Sequence, residues 1–476
     1  MDPLPLTIIV LYLAAVVAVG FAASRLVRST SDFLLAGRKL GAPLVVAGLA
    51  ATHFGGGFVL GVGEDSWTHG LSGIAFALGT GAGLIALGLV AARRLRALAL
   101  YTIADYLAQR YDSQLVRGLG AALSLVAVTG ILAAQVGATS GALGIIGLAP
   151  QTGAVVAVVL FVAYTFFAGI WGVTLTDALQ ILVIFIGLPI AAGLALAEIG
   201  GLSGLQAEVA AADDLTADSF FSPVGMGTFV VAGIIVPVVM YDLIGQDFYQ
   251  RLFAARSATI ARASALIAGL ILLVFGIFPA LAGMASRVMF PDLEDSAAAI
   301  PELVTEVMPV WAGAILVGAI LAAVMSTADS LLVAGSSHVT NDFARKILGR
   351  DHGEDARETL IIARVSVAVL GLGALGLYQV MPGIVDTLVF AYTMYAGGVF
   401  VPVVGGLLWP RATAPGAVSA IAAGSLMGLL GETGLADYGD WPVIVVGGLA
   451  SLLTFIVVSL ATKAPDRTPS SQPVEG

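Results

Sequence analysis

The 476-residue chain has no cysteine, and charged residues make up only 11% of it. The first absence excludes disulfide frameworks, thiolate metal sites and cysteine nucleophiles. The second excludes both a soluble enzyme and a disordered chain, since an ordinary soluble protein is about 25% charged. Lysine occurs only at Lys39, Lys346 and Lys463. The net charge of -10 and a pI near 4.8 argue against a nucleic-acid partner. What fills the chain instead is apolar: 59% of residues are hydrophobic and the mean hydropathy is +1.01. Apolar runs of this extent cannot all be hidden in one water-facing domain, so the chain reads as an all-α integral membrane protein.

A crossing of ~30 Å of hydrocarbon takes about 20 residues, which divides the chain into about thirteen transmembrane helices. No soluble domain is expected. The longest polar stretches, Gly200 to Gly225, Pro291 to Glu306 and Asn341 to Glu358, read as loops, and 464–476 reads as a short disordered tail. Helix 1 starts at Leu6 with no basic residue before it and no small-residue cleavage site after it, so it reads as an anchor. With thirteen spans the basic clusters fall on one side, among them Arg25, Arg28, Arg38 and Lys39; Arg93, Arg94 and Arg96; and Arg345, Lys346 and Arg350. Only Arg287 falls on the other. Because cytoplasmic loops hold the excess of Lys and Arg, the expectation is an outer N-terminus, a cytoplasmic C-terminus and a cell-membrane location. The opposite loops carry acids, including Asp213, Asp214, Asp292, Glu432, Asp437 and Asp440. An acidic outer face fits either a cation-gathering entrance or adaptation to a salty medium, and the second is the plainer reading.

Polar residues at membrane depth are costly, and each is a candidate for function. The second span contains Ala51-Thr52-His53-Phe54-Gly55-Gly56-Gly57. Successive glycines each weaken a helix by ~1 kcal/mol relative to alanine, so a mid-membrane break competes with simple close helix packing. The ninth span contains Ala323-Val324-Met325-Ser326-Thr327-Ala328-Asp329-Ser330. Its hydroxyls suit a hard cation, although serine and threonine also bond their own helix carbonyls. Asp177 and Gln180, one turn apart in the sixth span, face either a shared aqueous path or, for Asp177, a capping role. The seventh span carries Tyr241-Asp242-Leu243-Ile244-Gly245-Gln246-Asp247 between Pro237 and Arg251, which suggests a second broken helix. Two breaks five spans apart are the pattern of an inverted-repeat transporter.

These strings, with Asp32-Phe33-Leu34-Leu35-Ala36-Gly37-Arg38, Thr102-Ile103-Ala104-Asp105-Tyr106-Leu107 and Gln250-Arg251, resemble the sodium:solute symporter family over about residues 5–462. The resemblance implies a leucine-transporter fold with two inverted five-helix repeats, over 41–200 and 226–408. An extra helix would occupy 1–30, and two C-terminal helices 412–463. It implies a sodium site formed by the carbonyls of Ala51, Phe54 and Ala323 with the hydroxyls of Ser326 and Thr327, and a role for Asp177 near the path of sodium release. The choline-transporting and proline-transporting members are the most similar in motif. The aromatic cage of the former is unmatched here, since His53, Val128 and Gly245 stand at its positions, and the aspartate of the latter is His53. The solute site is expected around Thr52, His53, Gly55, Gly56, Gly57, Gln135, Tyr241, Gly245 and Gln246.

The expected function is therefore sodium-coupled import of a small polar organic solute such as an amino acid or carboxylate. The protein is not expected to be an enzyme, because no nucleophile–base pair stands out and His53, His69, His338 and His352 are scattered. No cofactor is expected beyond sodium as coupling ion. The partners expected are the solute, sodium and the lipid bilayer, with a monomer as functional unit. Proton coupling and a nutrient sensor working through a separate signalling partner are the alternatives.

Overall fold

The computed structural model describes residues 3–350, 357–381, 384–439 and 441–464. His352, Asp440 and the predicted tail beyond residue 464 lie outside the described residues. Among those described the regular structure is helical, apart from a single parallel pairing of Leu40 with Ala255.

The helices used below are α1 (Pro3–Ala23), α2 (Ala42–His53), α3 (Val62–His69), α4 (Ala75–Leu87), α5 (Ile103–Tyr111), α6 (Gln114–Ile145), α7 (Pro150–Glu198) and α8 (Thr228–Asp242). There follow α9 (Gln246–Ala254), α10 (Ala258–Phe275), α11 (Ile277–Met289), α12 (Val310–Ser337), α13 (Arg357–Val380), α14 (Ile384–Leu408), α15 (Ala414–Glu432) and α16 (Val443–Ala461). Among the described residues ten helical stretches are long and apolar enough to cross a membrane, or eleven if the bent pair α8–α9 is one span. The figure of thirteen differs because breaks divide some crossings and merge others. Ala42–His53 alone is too short to count, and Pro150–Glu198 runs for 49 residues as one stretch. That stretch turns at Gly169, whose φ of 50° is open to glycine at little cost. A Cβ there would lie 2.3 Å from the carbonyl oxygen of Phe33, so the turn and the close packing both require glycine.

Helix starts follow local chemistry. Thr102 and Asp105 form a reciprocal capping box at α5, while Ser113, Ser257 and Thr413 cap α6, α10 and α15 by accepting backbone N–H bonds. The stretch read as a loop from Gly200 to Gly225 contains a helix over Gly201–Ala211. Its Leu205 and Val209 pack with Phe220 and Met284 as a small separate apolar cluster.

At the centre stands α12, in which every residue from Leu316 to Ser337 is buried. It packs against α7, α6, α2 and α1. The circumference is apolar: Leu11 on α1, Leu270 and Val274 on α10, Leu372 on α13 and Leu453 on α16 are exposed. A polar interior inside an apolar belt is the arrangement of a multi-pass membrane protein.

The end that carries the basic loops is tightly knitted. Arg117 Nη1 donates to the carboxylates of Asp105 and, at 2.9 Å, of Asp342. Thr102 Oγ1 and His338 Nδ1 also contact Asp342, at 3.0 and 2.8 Å, and Asn341 Nδ2 donates to Asp105 at 2.9 Å. These bonds join α5, α6 and the segment following α12.

Candidate functional site

Two interrupted helices face each other across α12. Helix α2 stops at His53, Phe54 has left helical geometry with ψ at 29°, and helical structure resumes at Gly57. Helix α8 stops at Asp242 and α9 begins at Gln246, with the two axes bent by 43°. Gly245 lies between them in extended conformation. An interrupted helix leaves carbonyls without an intrahelical donor, and at membrane depth those groups need another partner.

Helix α12 supplies partners. Ser326 Oγ lies 2.7 Å from the carbonyl oxygen of Ala51 and 2.8 Å from that of Ala323. Thr327 Oγ1 lies 2.7 Å from the carbonyl of Thr52 and 3.2 Å from that of Ala323. Each hydroxyl has one proton and faces two carbonyls, so the cluster holds more lone pairs than protons. That imbalance suits a hard cation. Of the five residues expected around sodium, Ala51, Ala323, Ser326 and Thr327 meet here. Phe54 lies at the end of α2 beside them, its N–H directed to the carbonyls of Ala50 and Ala51 and its ring packed on Phe58. Close approach of the break to α12 requires Gly55, where a Cβ would fall 2.7 Å from Thr327 Oγ1.

Asp177 is fully buried within α7, and not at a helix start. Its Oδ2 accepts from Arg251 Nη2 at 2.7 Å. The same guanidinium nitrogen donates to Ser330, which contacts Thr52 Oγ1 at 3.0 Å and the carbonyl of Ser326. The ion pair is thus connected to the hydroxyl cluster through Ser330.

Beside the cluster, a cavity of about 40 Å³ opens between the two breaks. Thr52, His53, Gly55, Gly57, Gln135 and Tyr241 line it, as the sequence suggests. Gly56 does not, but its N–H donates to Gln135 Oε1 at 3.1 Å and so orients that amide. Gly245 also stays out of the wall, while permitting the close approach of Asp247 and Phe248, which a Cβ would meet at 2.8 Å. Gln246 turns away from the cavity. Its Oε1 accepts from the N–H of Ile103 at 2.8 Å, and its Nε2 donates to the carbonyl of Tyr101 and to Gln250. That amide is spent on holding the loop before α5.

Sequence reading passed over several lining residues. Asp242 and Asp247 are 1% and 2% exposed and line the cavity. His53 Nε2 lies 3.1 Å from Asp242 Oδ2, and its Nδ1 lies 3.0 Å from the carbonyl of Leu49. A carbonyl can only accept, so Nδ1 carries a proton. The imidazole stacks on Phe248 with centroids 4.1 Å apart. Tyr241 Oη donates to Asp247 Oδ1 at 3.1 Å, and its ring lies 4.6 Å from that of Tyr392. The signal for the two aspartates was present, since both are ionisable residues inside an apolar span. Tyr392 and Phe76 gave no local signal, because only the fold brings α14 and α4 to this place.

The cavity shares Gly57, Phe76, Val238, Leu388 and Tyr392 with a larger one of about 480 Å³, whose wall includes Glu64, Asp65 and Glu432. The deep site therefore adjoins, through a shared wall, the cavity at the end bearing the acidic loops.

Comparison with known proteins agrees with this arrangement. The chain is 29% identical to the sodium/pantothenate symporter of Escherichia coli, with 97% of each chain covered. It is 27% identical to the sodium/proline symporter of Haemophilus influenzae, over 98% of this chain and 96% of that one. It is 24% identical to high-affinity choline transporter 1 of Caenorhabditis elegans, over 97% and 86%. A solved structure of a Na+-coupled sialic acid symporter in a substrate-bound, outward-open state superposes with a TM-score of 0.84 at 19% identity, covering 97% of this chain and 98% of that one. That likeness gives the fold, the leucine-transporter type. Residues 33–424 match the sodium:solute symporter family, and the chain belongs to that family.

Proposed function

We propose that this sodium-coupled symporter imports a small polar organic solute, with sodium bound where α2 breaks against α12 and the solute held in the adjoining cavity. Sodium would be ligated by the carbonyls of Ala51, Phe54 and Ala323 and the hydroxyls of Ser326 and Thr327. The observation that carries this reading is the meeting of those two hydroxyls with the carbonyls freed at the end of α2. The cavity wall at Thr52, His53, Gly55, Gly57, Gln135 and Tyr241 supports the solute assignment. Thr327 belongs to both sites, with its hydroxyl in the cluster and its side chain in the cavity wall, so sodium that fixes the break also fixes part of the solute cavity.

Asp177, paired with Arg251 behind the cluster, would assist sodium release on the cytoplasmic side. The repeats would span 41–200 and 226–408, flanked by a helix in 1–30 and two in 412–463. Basic loops gathered at one end support an outer N-terminus and a cytoplasmic C-terminus. The apolar circumference supports direct contact with lipid, and a single chain holds every residue assigned here, which supports a monomeric functional unit.

Melting of purified protein in rising sodium chloride against potassium chloride tests the site. Sodium should stabilise the native chain, and Ser326→Ala or Thr327→Ala should raise the half-effective sodium concentration by about 5- to 100-fold, the loss of one good oxygen partner. Sodium stabilisation unchanged in both variants contradicts the assignment.

A further inference from the structure

The charge of the solute can be read from the cavity. Two carboxylates, Asp242 and Asp247, are buried in its wall, and among the described residues neither lysine nor arginine lines it. Asp242 faces His53. Asp247 receives the Tyr241 hydroxyl, and among the described residues it has no ion pair. No hydrogen bond from Arg251 reaches this carboxylate: Nη1 donates to the backbone carbonyl of Asp247 at 3.2 Å, while Nη2 goes to Asp177 and Ser330. With both carboxylates ionised and His53 as imidazolium, the side chains of the wall carry one net negative charge. An uncompensated buried charge is costly, and a cationic ligand removes that cost on binding.

Shape and surroundings agree. The deep cavity of about 40 Å³ has room for roughly three waters at one probe sphere each. That admits a compact head group, and the larger outer cavity takes the rest of the molecule. Tyr241, Phe248 and Tyr392 place aromatic rings in its wall, the side-chain type that suits a cation. The outer cavity adds Glu64, Asp65 and Glu432 and again, among the described residues, no lysine or arginine. The charged side chains that line the two cavities, apart from His53, are acids set in a largely apolar wall, which disfavours a free carboxylate and favours an ammonium group.

We propose that the solute carries an ammonium group, which docks against Asp247 and Asp242 in the deep cavity. This rests on the solute-site assignment above. The same chemistry is offered by a simple amine and by the α-ammonium of an amino acid, whose carboxylate would then have to lie away from the two aspartates.

The test is melting of the purified full chain with n-butylammonium, n-butyrate, 1-butanol or 2-aminobutyrate, each in sodium and in potassium. The expectation is a rise of about 2 °C or more with n-butylammonium or 2-aminobutyrate in sodium, and none with n-butyrate or 1-butanol. The stronger of the first two separates amine from amino acid. Asp247→Asn should abolish the ammonium shift while keeping the shift given by sodium alone, which also reports that the variant folds. Stabilisation by n-butyrate or 1-butanol instead, no shift from either ammonium probe, or an ammonium shift that survives both Asp247→Asn and Asp242→Asn overturns the proposal. An ammonium shift equal in sodium and potassium would instead remove the coupling reading and leave the cationic assignment standing.

Discussion

At the scale of single residues, the interior polar groups divide into those that hold the fold and those that have spare capacity. The Arg251–Asp177 pair is fully enclosed, with both side chains at 0% exposure. Removing one partner strands a charge, so Arg251→Met should destabilise the protein by about 3–5 kcal/mol. Replacing both, as Arg251→Met with Asp177→Leu, should recover much of that loss, because desolvation of two ions is removed together. Thermal melting of the two variants checks this, and a double variant no better than the single would contradict it. The ninth-span hydroxyls were legible in the sequence because Ser326 and Thr327 interrupt an apolar run. The pairing of Asp177 with Arg251 was not, since 74 positions separate them and they meet only because α7 and α9 both pack against α2 and α12.

At the scale of elements, the two broken helices are the working parts. The glycine run at Gly55 to Gly57 announces a break in α2, and the structure puts the interruption at Phe54 to Gly56, within that run's reach. The run does not say which glycine is indispensable, because the reason lies on another helix: Thr327 occupies the space a Gly55 side chain would need. Gly55→Ala should therefore push the break from α12 and weaken sodium stabilisation by at least about tenfold. Gly61→Ala, with open space around the added Cβ, should leave it within about twofold. Sodium titrations followed by melting compare the two, and equal effects would contradict the close-packing account. Gln246 teaches the converse lesson. Its position in the polar string of the seventh span suggested a solute contact, yet the first turn of α9 points its amide at the loop before α5.

At the scale of the whole molecule, the larger cavity lies at the acidic end, while at the basic end Arg117, Asp105 and Asp342 tie α5, α6 and the segment after α12 together. Inward release of a solute past these elements would require the network to open and its partners to separate. The chain's lack of cysteine makes this measurable, since one introduced thiol is the sole reporter. Ala104→Cys, buried in α5, should react slowly with a thiol reagent in the otherwise native chain. Adding Asp342→Asn should speed labelling by at least about tenfold, because the buried Arg117 and His338 then lose a carboxylate partner. Unchanged labelling would mean that the network is not what closes this end. Composition made the membrane class and the one-sided basic loops legible. It could not give the number of crossings, because α2 is too short alone and α7 is interrupted at Gly169 without a polar loop to mark the turn.

The account centres on one coupling: sodium fixes the break in α2 against α12, and the solute cavity is built on the same break. Sodium and solute must then tighten each other by the same factor. The most direct measurement is equilibrium binding of radioactive sodium to the purified chain and to its Ser326→Ala variant, in potassium chloride and without added solute. Saturable binding in the native chain, weakened at least about fivefold in the variant, is the predicted result. Equal sodium affinity in the two proteins would contradict it.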